Sequence, residues 1–182
     1  MNENRKVKIT HMLFKKALID MLQTKHISEI SITKLCEQAN LNRSTFYAHF
    51  QNPTDVLLEI ETETYQQLES FLQTNVVTPQ ISDIYIIFNK ILMYIKNQQK
   101  LFLVLLGNNI YSDFQERFMD LIYRISKYSD GKNNYYTEMK YVHVYNTLGC
   151  ISVIVFWLKN DTKESTDTIS KILSKLFTLS YV

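Results

Sequence analysis

Glycine and proline are scarce in this chain of 182 residues, which contains three Gly and two Pro. Both residues interrupt regular structure, so their scarcity, together with long periodic segments, favours a mostly helical protein. Long apolar runs are absent as well, since the longest, Leu148 to Leu158, is too short to span a bilayer as a helix of about 20 residues. Lys15, Lys16 and Asp20 interrupt the apolar positions near the N-terminus, which argues against a signal peptide. We therefore expect a cytoplasmic protein with no membrane partner.

Cysteine and histidine are also scarce, with two Cys and four His. Cys36 lies on a predicted core face and Cys150 lies inside an apolar run, so neither a disulfide framework nor a metal cluster is indicated. The four histidines are scattered along the chain without the spacing of a metal site. The sequence contains no nucleophile paired with a base, no paired carboxylates on one face and no phosphate-binding loop. We therefore expect a protein that is not an enzyme and that has no metal or cofactor.

A helix-turn-helix pattern occupies residues 31–50, SITKLCEQANLNRSTFYAHF. Ile32, Leu35, Cys36 and Ala39 recur at the spacing that places them on one face of a helix. Ser31 precedes this face as a natural N-cap. This segment therefore predicts a short amphipathic helix.

The residues that follow predict a sharp turn and a second short helix. Asn40 tolerates the left-handed conformation that ends a helix, and Asn42 is a second N-cap candidate. Phe46 and Phe50 lie four apart on the inward face of the second helix. The outward face consists of hydrogen-bonding side chains, including one Arg, which can fork onto guanine, and hydroxyls and a phenol, which suit phosphate oxygens.

We predict that this outward face binds double-stranded DNA. The alternative is a helical hairpin whose polar face is merely solvated, because this spacing is common in all-helical proteins. The residues predicted to bind DNA are Ser31, Thr33, Asn42, Arg43, Ser44, Thr45, Tyr47 and His49.

The segment resembles the signature of the TetR family of bacterial transcription regulators, whose recognition helix ends in a Thr-x-Tyr-x-(His or Tyr)-Phe motif. That motif stands here as residues 45–50, TFYAHF, and the similarity extends back through the first helix and forward to Asp55, Val56 and Leu57. The resemblance covers about the first third of the chain. It implies an all-α homodimer of about nine helices, with a three-helix DNA-binding domain at residues 1–52 and a helical dimerisation and effector-sensing domain at residues 53–182.

Three positions depart from the family pattern. The usual turn glycine is Asn40, and the usual glycine in the recognition helix is Ser44. Where the family often has a phosphate-binding lysine at the start of the fourth helix, the chain has Asn52 as N-cap and Pro53 at the first helical position. We therefore expect backbone amides of the fourth helix to take over that phosphate contact.

Basic charge is concentrated on the predicted DNA-binding part. Residues 1–52 carry eight Lys or Arg and four Asp or Glu, a net charge of +4, whereas residues 53–182 carry twelve and fourteen, a net charge of −2. Arg5, Lys6 and Lys8 form a short cationic arm ahead of the first helix that could reach DNA. A frayed, solubilising terminus is the alternative interpretation of this arm.

The last two predicted helices, from Tyr135 to about Lys159 and from Ser165 to about Ser180, indicate a subunit interface. The first of them is apolar nearly all round from Leu148 to Leu158, and such a helix needs neighbours on all sides. Pairing with a second subunit as a four-helix interface would supply them, although one subunit could also cover the helix by itself. The predicted interface residues are Ile151, Ile154, Val155, Leu158, Ile169, Ile172, Leu173 and Leu176.

The effector is less defined by the sequence. The C-terminal part resembles a TetR subgroup that includes a regulator of dihydroxyacetone kinase genes, which responds to a protein partner. The chain could therefore be a repressor released by a small molecule through tilting of the fourth helix, or an activator controlled by a protein co-regulator. Aromatic residues at helical spacing are commonly core, and they are also candidates for an effector pocket. The pocket candidates are Tyr85, Phe88, Tyr94, Phe102, Tyr141 and Tyr145.

Overall fold

The computed structural model describes residues 3–75, 84–107, 113–127 and 138–179. Within these ranges the chain forms helices and no strand, so the predicted all-α fold of about nine helices is confirmed. The helices are α1 (Glu3–Leu22), α2 (Ile32–Ala39), α3 (Arg43–Tyr47), α4 (Pro53–Asn75), α5 (Ile84–Lys96), α6 (Gln99–Gly107), α7 (Asp113–Lys127), α8 (Glu138–Lys159) and α9 (Thr166–Leu179), with a 3-10 turn at Ile27–Glu29. None of the helices in these ranges has the length and apolarity needed to cross a membrane.

The chain divides into two compact units, Met1–Thr64 and Tyr65–Val182. The division falls inside α4, which therefore contributes residues to both units. The sequence prediction of domains 1–52 and 53–182 assigns all of α4 to the second domain. The first half of α4 joins the first unit because Val56 and Ile60 are buried there.

The core of the first unit is built around three phenylalanine rings. Phe14 on α1 meets Phe46 on α3 edge to face, with 5.2 Å between the ring centroids. Phe50 lies 5.7 Å from Phe46 and 6.0 Å from Phe14, which closes the cluster. Such pairs contribute about 0.5–1.5 kcal/mol each beyond the area that they bury. The cluster fixes α3 against α1.

A polar network joins α1 to the first half of α4. Lys15 Nζ lies 2.6 Å from a carboxylate oxygen of Glu63 and 3.0 Å from one of Glu59, and His11 Nδ1 lies 2.9 Å from Glu59. Burial by itself would raise the pKa of Glu59, but the hydrogen bonds from His11 and Lys15 outweigh it and lower that pKa. Glu59 is thus ionised at neutral pH, and the network links α1 and α4 through charge-assisted hydrogen bonds.

The core of the second unit centres on α5 packed against α9. Ile87, Phe88 and Ile91 of α5 are fully buried, and Phe88 meets Phe177 of α9 at 5.9 Å between ring centroids. Trp157 of α8 is buried, and its indole Nε1 donates to the carbonyl of residue 164 at 2.9 Å. Apolar burial at helical spacing on three helices therefore forms this core.

The second half of α4 is held in the second unit by aromatic contacts. The guanidinium of Arg117 on α7 lies 4.1 Å from the centroid of the Tyr65 ring, a cation–π contact. Phe71 packs on Tyr94 of α5, with 5.0 Å between their centroids. Both ends of α4 thus have anchors, each within its own unit.

The lowered pKa of Glu59 predicts how the chain responds to acid. A carboxyl group whose folded pKa lies below its ordinary value of 4.5 stabilises the fold above that value, and this contribution is lost as the pH falls through the folded pKa. We expect Glu59→Gln to lower the free energy of unfolding at pH 7, and to show a smaller further loss than the wild type as the pH falls below 4.5. Urea unfolding followed by circular dichroism at pH 7, 5 and 3 measures both quantities. Parallel losses of stability in the two proteins across this range would contradict the assignment.

Candidate nucleic-acid interface

The turn between α2 and α3 is set by one left-handed residue. Asn40 adopts φ 52° and ψ 44°, the conformation predicted from the sequence. This allows the backbone N–H of Leu41 to donate to the Cys36 carbonyl at 3.0 Å, which satisfies an otherwise unpaired end group of α2. Ser31 caps the other end, where its Oγ accepts from the N–H of Lys34 at 3.3 Å. Both predicted caps of α2 are confirmed.

Asn42 organises the start of α3 through a single oxygen. Its Oδ1 accepts the backbone N–H of Thr45 at 2.7 Å, as predicted for an N-cap. The same oxygen also accepts the hydroxyls of Ser44 at 2.8 Å and Thr45 at 2.7 Å. Since each hydroxyl has one proton, both are used, and what remains on Ser44 and Thr45 are acceptor lone pairs. Such lone pairs suit amino groups on base edges, whereas our sequence interpretation assigned these hydroxyls to phosphate oxygens.

Arg43 and Tyr47 form a pair one turn apart on the exposed face of α3. The Tyr47 side chain is 54% exposed, so nearly half of its surface is covered by neighbours. The interaction of the Tyr47 hydroxyl with the Arg43 guanidinium raises the pKa of Arg43. Phe46 lies behind them in the core, 5.8 Å from the Tyr47 ring. The pair therefore presents a cation and an aromatic ring to solvent.

The start of α4 does not supply the phosphate contact that we expected. Asn52 caps the helix as predicted, and its Oδ1 accepts the backbone N–H groups of Thr54 at 2.8 Å and Asp55 at 3.1 Å. Pro53 has no N–H at all. The carboxylate of Asp55 accepts from the N–H of Gln51 at 2.8 Å, which places a negative charge at the same helix end. The expectation that these amides bind phosphate is therefore wrong, because Asn52 already occupies them.

The predicted arm ahead of the first helix is also wrong, because α1 begins at Glu3. Arg5, Lys6 and Lys8 are part of this helix, and their side chains are exposed. Their positive charge thus lies on the first two turns of α1. The backbone of these residues is helical, so their Cα positions are set by α1.

The predicted DNA-binding residues fall into two groups by exposure. Thr45 and His49 are half-buried, and the His49 ring lies 4.9 Å from that of His11 on α1. The others are exposed. The exposed group consists of Ser31, Thr33, Asn42, Arg43, Ser44 and Tyr47.

The predicted effector-pocket residues do not share one environment. Phe88 and Phe102 are fully buried, and Tyr94 lies 6.0 Å from the Phe102 ring. The hydroxyl of Tyr85, which is half-buried, donates to Asp167 at 2.6 Å. Tyr141 and Tyr145 are 76% and 69% exposed. The structure therefore brings Tyr94 and Phe102 together, while Tyr141 and Tyr145 lie on the surface of the chain.

Two buried polar side chains on α8 were missed by our sequence analysis. Asn146 and Thr147 are 4% and 2% exposed. Within the described part of the chain, Asn146 Nδ2 and Thr147 Oγ1 have no hydrogen-bond partner. The signal that could have found them is spacing, since Asn146 shares a helical face with Cys150 and Ile154.

The predicted subunit-interface residues are mostly inside the second unit. Val155 is half-buried, while Ile172 and Leu176 are 44% and 46% exposed. The apolar side chain most exposed on the last turns of α8 is Phe156, at 70%, which the sequence analysis did not select. The predicted interface residues that are buried within the chain are Ile151, Ile154, Leu158, Ile169 and Leu173.

Comparison with solved structures shows which proteins share this fold. A TetR transcriptional regulator from Streptococcus agalactiae 2603V matches with a TM-score of 0.70 and 21% identity, over 96% of this chain and 97% of that one. A TetR transcriptional regulator from Rhodococcus sp. RHA1 matches with a TM-score of 0.60 and 13% identity, over 97% and 98% of the two chains. The dihydroxyacetone kinase operon activator DhaS matches with a TM-score of 0.57 and 18% identity, over 93% and 94%.

Sequence comparison adds the family. No curated protein has a significantly similar sequence. Residues 82–179, more than half of the chain, match the family model of the TetR-type transcriptional regulator C-terminal region. This match is independent of the motif at residues 45–50, which lies outside it. The chain therefore belongs to the TetR family of transcriptional regulators.

Proposed function

We propose that this regulator is a sequence-specific DNA-binding repressor that binds a pseudopalindromic operator as a homodimer. The observation that carries the proposal is the exposed face of α3, on which the Ser44 hydroxyl is held by Asn42 and Arg43 interacts with Tyr47. Side chains fixed before binding lose less conformational freedom on contact with a ligand. We further propose that it is cytoplasmic and acts by binding alone, without a catalytic step or a cofactor.

In this proposal Arg43 and Tyr47 have different roles in DNA binding. Arg43 is a planar cation that can donate two hydrogen bonds to a guanine edge, the commonest specific contact in the major groove. The hydroxyl of Tyr47 has one proton to donate, and the Tyr47 side chain is 54% exposed. It can therefore donate to a phosphate oxygen, which positions the helix without selecting sequence. Exposed cations on α1 add attraction of the same unselective kind.

A homodimer gives this short recognition helix two half-sites. Helix-turn-helix dimers bind half-sites about 34–36 Å apart on one side of the duplex, so the operator should be a pseudopalindrome. The exposed apolar side chains of the last two helices support pairing, since a stripe of this kind on a monomer marks an interaction surface. The exposed side chains that we assign to the interface are Tyr141, Tyr145, Phe156, Ile172 and Leu176.

An effector site is supported by the unpaired polar atoms of α8. A buried donor without an acceptor costs about 1–3 kcal/mol, so a ligand that accepts hydrogen bonds from Asn146 and Thr147 would recover that cost. We propose a small neutral ligand with carbonyl or hydroxyl oxygens. Its binding would shift α4 and release DNA.

A second candidate is an activator controlled by a protein partner. It is favoured by the fold similarity to the operon activator DhaS. The two candidates differ in their response to metabolites, because only a small-molecule sensor gains stability from a compound that binds its folded state. A thermal-shift screen against metabolites that yields no stabilising compound favours the protein-controlled activator.

Substitutions on α3 test the DNA-binding proposal. We expect Arg43→Ala to relax base preference at one operator position by about 1–3 kcal/mol, and Tyr47→Ala to weaken binding to all sequences about equally. Gel shifts at one fixed salt concentration, with duplexes selected from a random pool by the wild-type protein, measure both effects. Lys159→Ala is the matched control, because it removes an exposed cation from α8. Unchanged affinity of Tyr47→Ala would show that α3 is not the DNA-reading helix.

Charge placed on the exposed apolar stripe tests the homodimer. We expect Phe156→Glu combined with Ile172→Glu to give a monomer of 21.6 kDa where the wild type sediments at twice that mass, because the buried carboxylates would lack partners. Analytical ultracentrifugation at micromolar concentration reads the mass. Met93→Glu, at a 50% exposed apolar site on α5, is the control and should leave the dimer intact. A wild-type chain that sediments as a monomer contradicts the proposal.

Removing the unpaired amide tests the effector site. We expect Asn146→Leu to raise the free energy of unfolding by about 1 kcal/mol or more, because a similar volume is filled without an unsatisfied donor. It should also abolish the thermal shift caused by any compound that stabilises the wild type. Ser170→Ala is the control, since the buried Ser170 hydroxyl already donates to the Thr166 carbonyl at 2.6 Å, and its removal should not stabilise the chain. A destabilised Asn146→Leu would show that the amide has a partner in the folded protein.

A further inference from the structure

One imidazole ring in the first unit contacts two segments that are distant from it in sequence. His11 belongs to α1, and its Nδ1 lies 2.9 Å from both carboxylate oxygens of Glu59 on α4. The same ring lies 4.9 Å from the ring of His49 and 4.8 Å from that of Phe50, measured between centroids. His49 and Phe50 follow the C-terminal end of α3. A single side chain thus bridges α4 and the end of the recognition helix.

The hydrogen bond to Glu59 fixes the direction of this ring. An ionised carboxylate can only accept hydrogen bonds, so Nδ1 of His11 must carry a hydrogen and donate it. Glu59 is held from a second side by Lys15, which lies 3.0 Å away and also binds Glu63. The contact with Lys15 therefore holds the Glu59 carboxylate in place independently of His11. The hydrogen bond from His11 to this carboxylate then orients the imidazole ring.

His49 lacks a hydrogen bond of its own that would fix its side chain. Within the described residues its imidazole has ring contacts with His11 and with Phe50, the latter at 6.5 Å, and no hydrogen-bond partner. The edge-to-face arrangement with His11, at an interplanar angle of 70°, restricts how the His49 ring can turn. The direction of His49 thus depends on a ring that belongs to α1 and is itself oriented from α4.

We infer that His11 is a positioning residue for the DNA contact of His49. His11 does not contact DNA; it holds the His49 imidazole in the orientation in which that ring meets the duplex, and Glu59 sets the orientation of His11. The inference rests on the proposed DNA-binding function. The inference adds that His11, a residue of α1 outside the helix-turn-helix, also determines the affinity for the operator.

A double-mutant cycle in the full-length protein tests the inference. We expect His11→Ala and His49→Ala each to weaken binding to a duplex selected from a random pool by the wild type about fivefold, a coupling typical of residues in contact. In the double variant the loss should equal that of His49→Ala alone. Met12→Ala, which removes an exposed neighbour on α1, should leave affinity unchanged. Losses that multiply, or a His49→Ala variant with wild-type affinity, overturn the inference.

A measurement without DNA separates this inference from the proposed function. The C–H proton resonances of the His49 imidazole, read by NMR in the free protein, should shift in His11→Ala because a neighbouring ring is lost. They should also move in His11→Phe, because a phenyl ring has no N–H to donate to Glu59 and is no longer oriented from α4. Unchanged His49 resonances in His11→Ala overturn the positioning role. Failure of the wild type to select any duplex refutes the proposed function, and the resonances then still decide whether His11 orients His49.

Discussion

Burial of the Phe46 ring against Phe14 and Phe50 is the constraint on which the exposed face of α3 depends. α3 has five residues, far fewer than a helix needs to be stable by itself in water. Its conformation is therefore held by tertiary packing and by its cap. Once Phe46 is buried, the helical period decides that the residues at either side of it point to solvent. The same contact that stabilises the first unit thus selects which side chains of α3 are available to the proposed DNA contact.

Internal hydrogen bonds refine that selection. Asn42 takes up the protons of two hydroxyls and one amide, and Arg43 interacts with the Tyr47 hydroxyl. The face that results is more specialised than its composition indicates, with a cation and hydroxyl acceptors near the start of α3 and a phenol one turn later. Hydroxyls that already donate an internal hydrogen bond cannot also donate to a ligand. What this face can bind therefore depends on those bonds as well as on the residues present.

The sequence predicted the features that local chemistry decides. The caps at Ser31 and Asn42 and the left-handed Asn40 depend on neighbours a few residues away, and the structure confirms them. The phosphate contact expected at α4 failed for a reason present in the sequence, because an Asn that caps a helix occupies the amides that the contact would need. An N-cap at Asn52 and a phosphate contact need the same backbone amides of α4. Considering the two together would have excluded the phosphate contact.

Features decided by tertiary packing were harder to predict. The apolar residues of α8 look alike in the sequence, and only the position of α9 and the other helices decides that Ile154 is buried while Phe156 is exposed. Likewise nothing in the spacing of His11, His49 and Glu59 shows that they meet, since 48 residues separate the first from the last. Side-chain contacts between residues distant in the sequence therefore could not be predicted from residue spacing.

The division of the chain inside α4 limits how the protein can be taken apart. A fragment that ends at residue 52, before α4, would lose Val56 and Ile60 from its core and Glu59 and Glu63 from the side of α1. Its apolar surface would be uncovered and two basic side chains would lose their partners. A fragment that preserves the core of the first unit must therefore retain residues through Thr64, which cuts α4 in its middle and separates Tyr65 from Arg117. The boundary between the two units of this regulator therefore lies within helix α4.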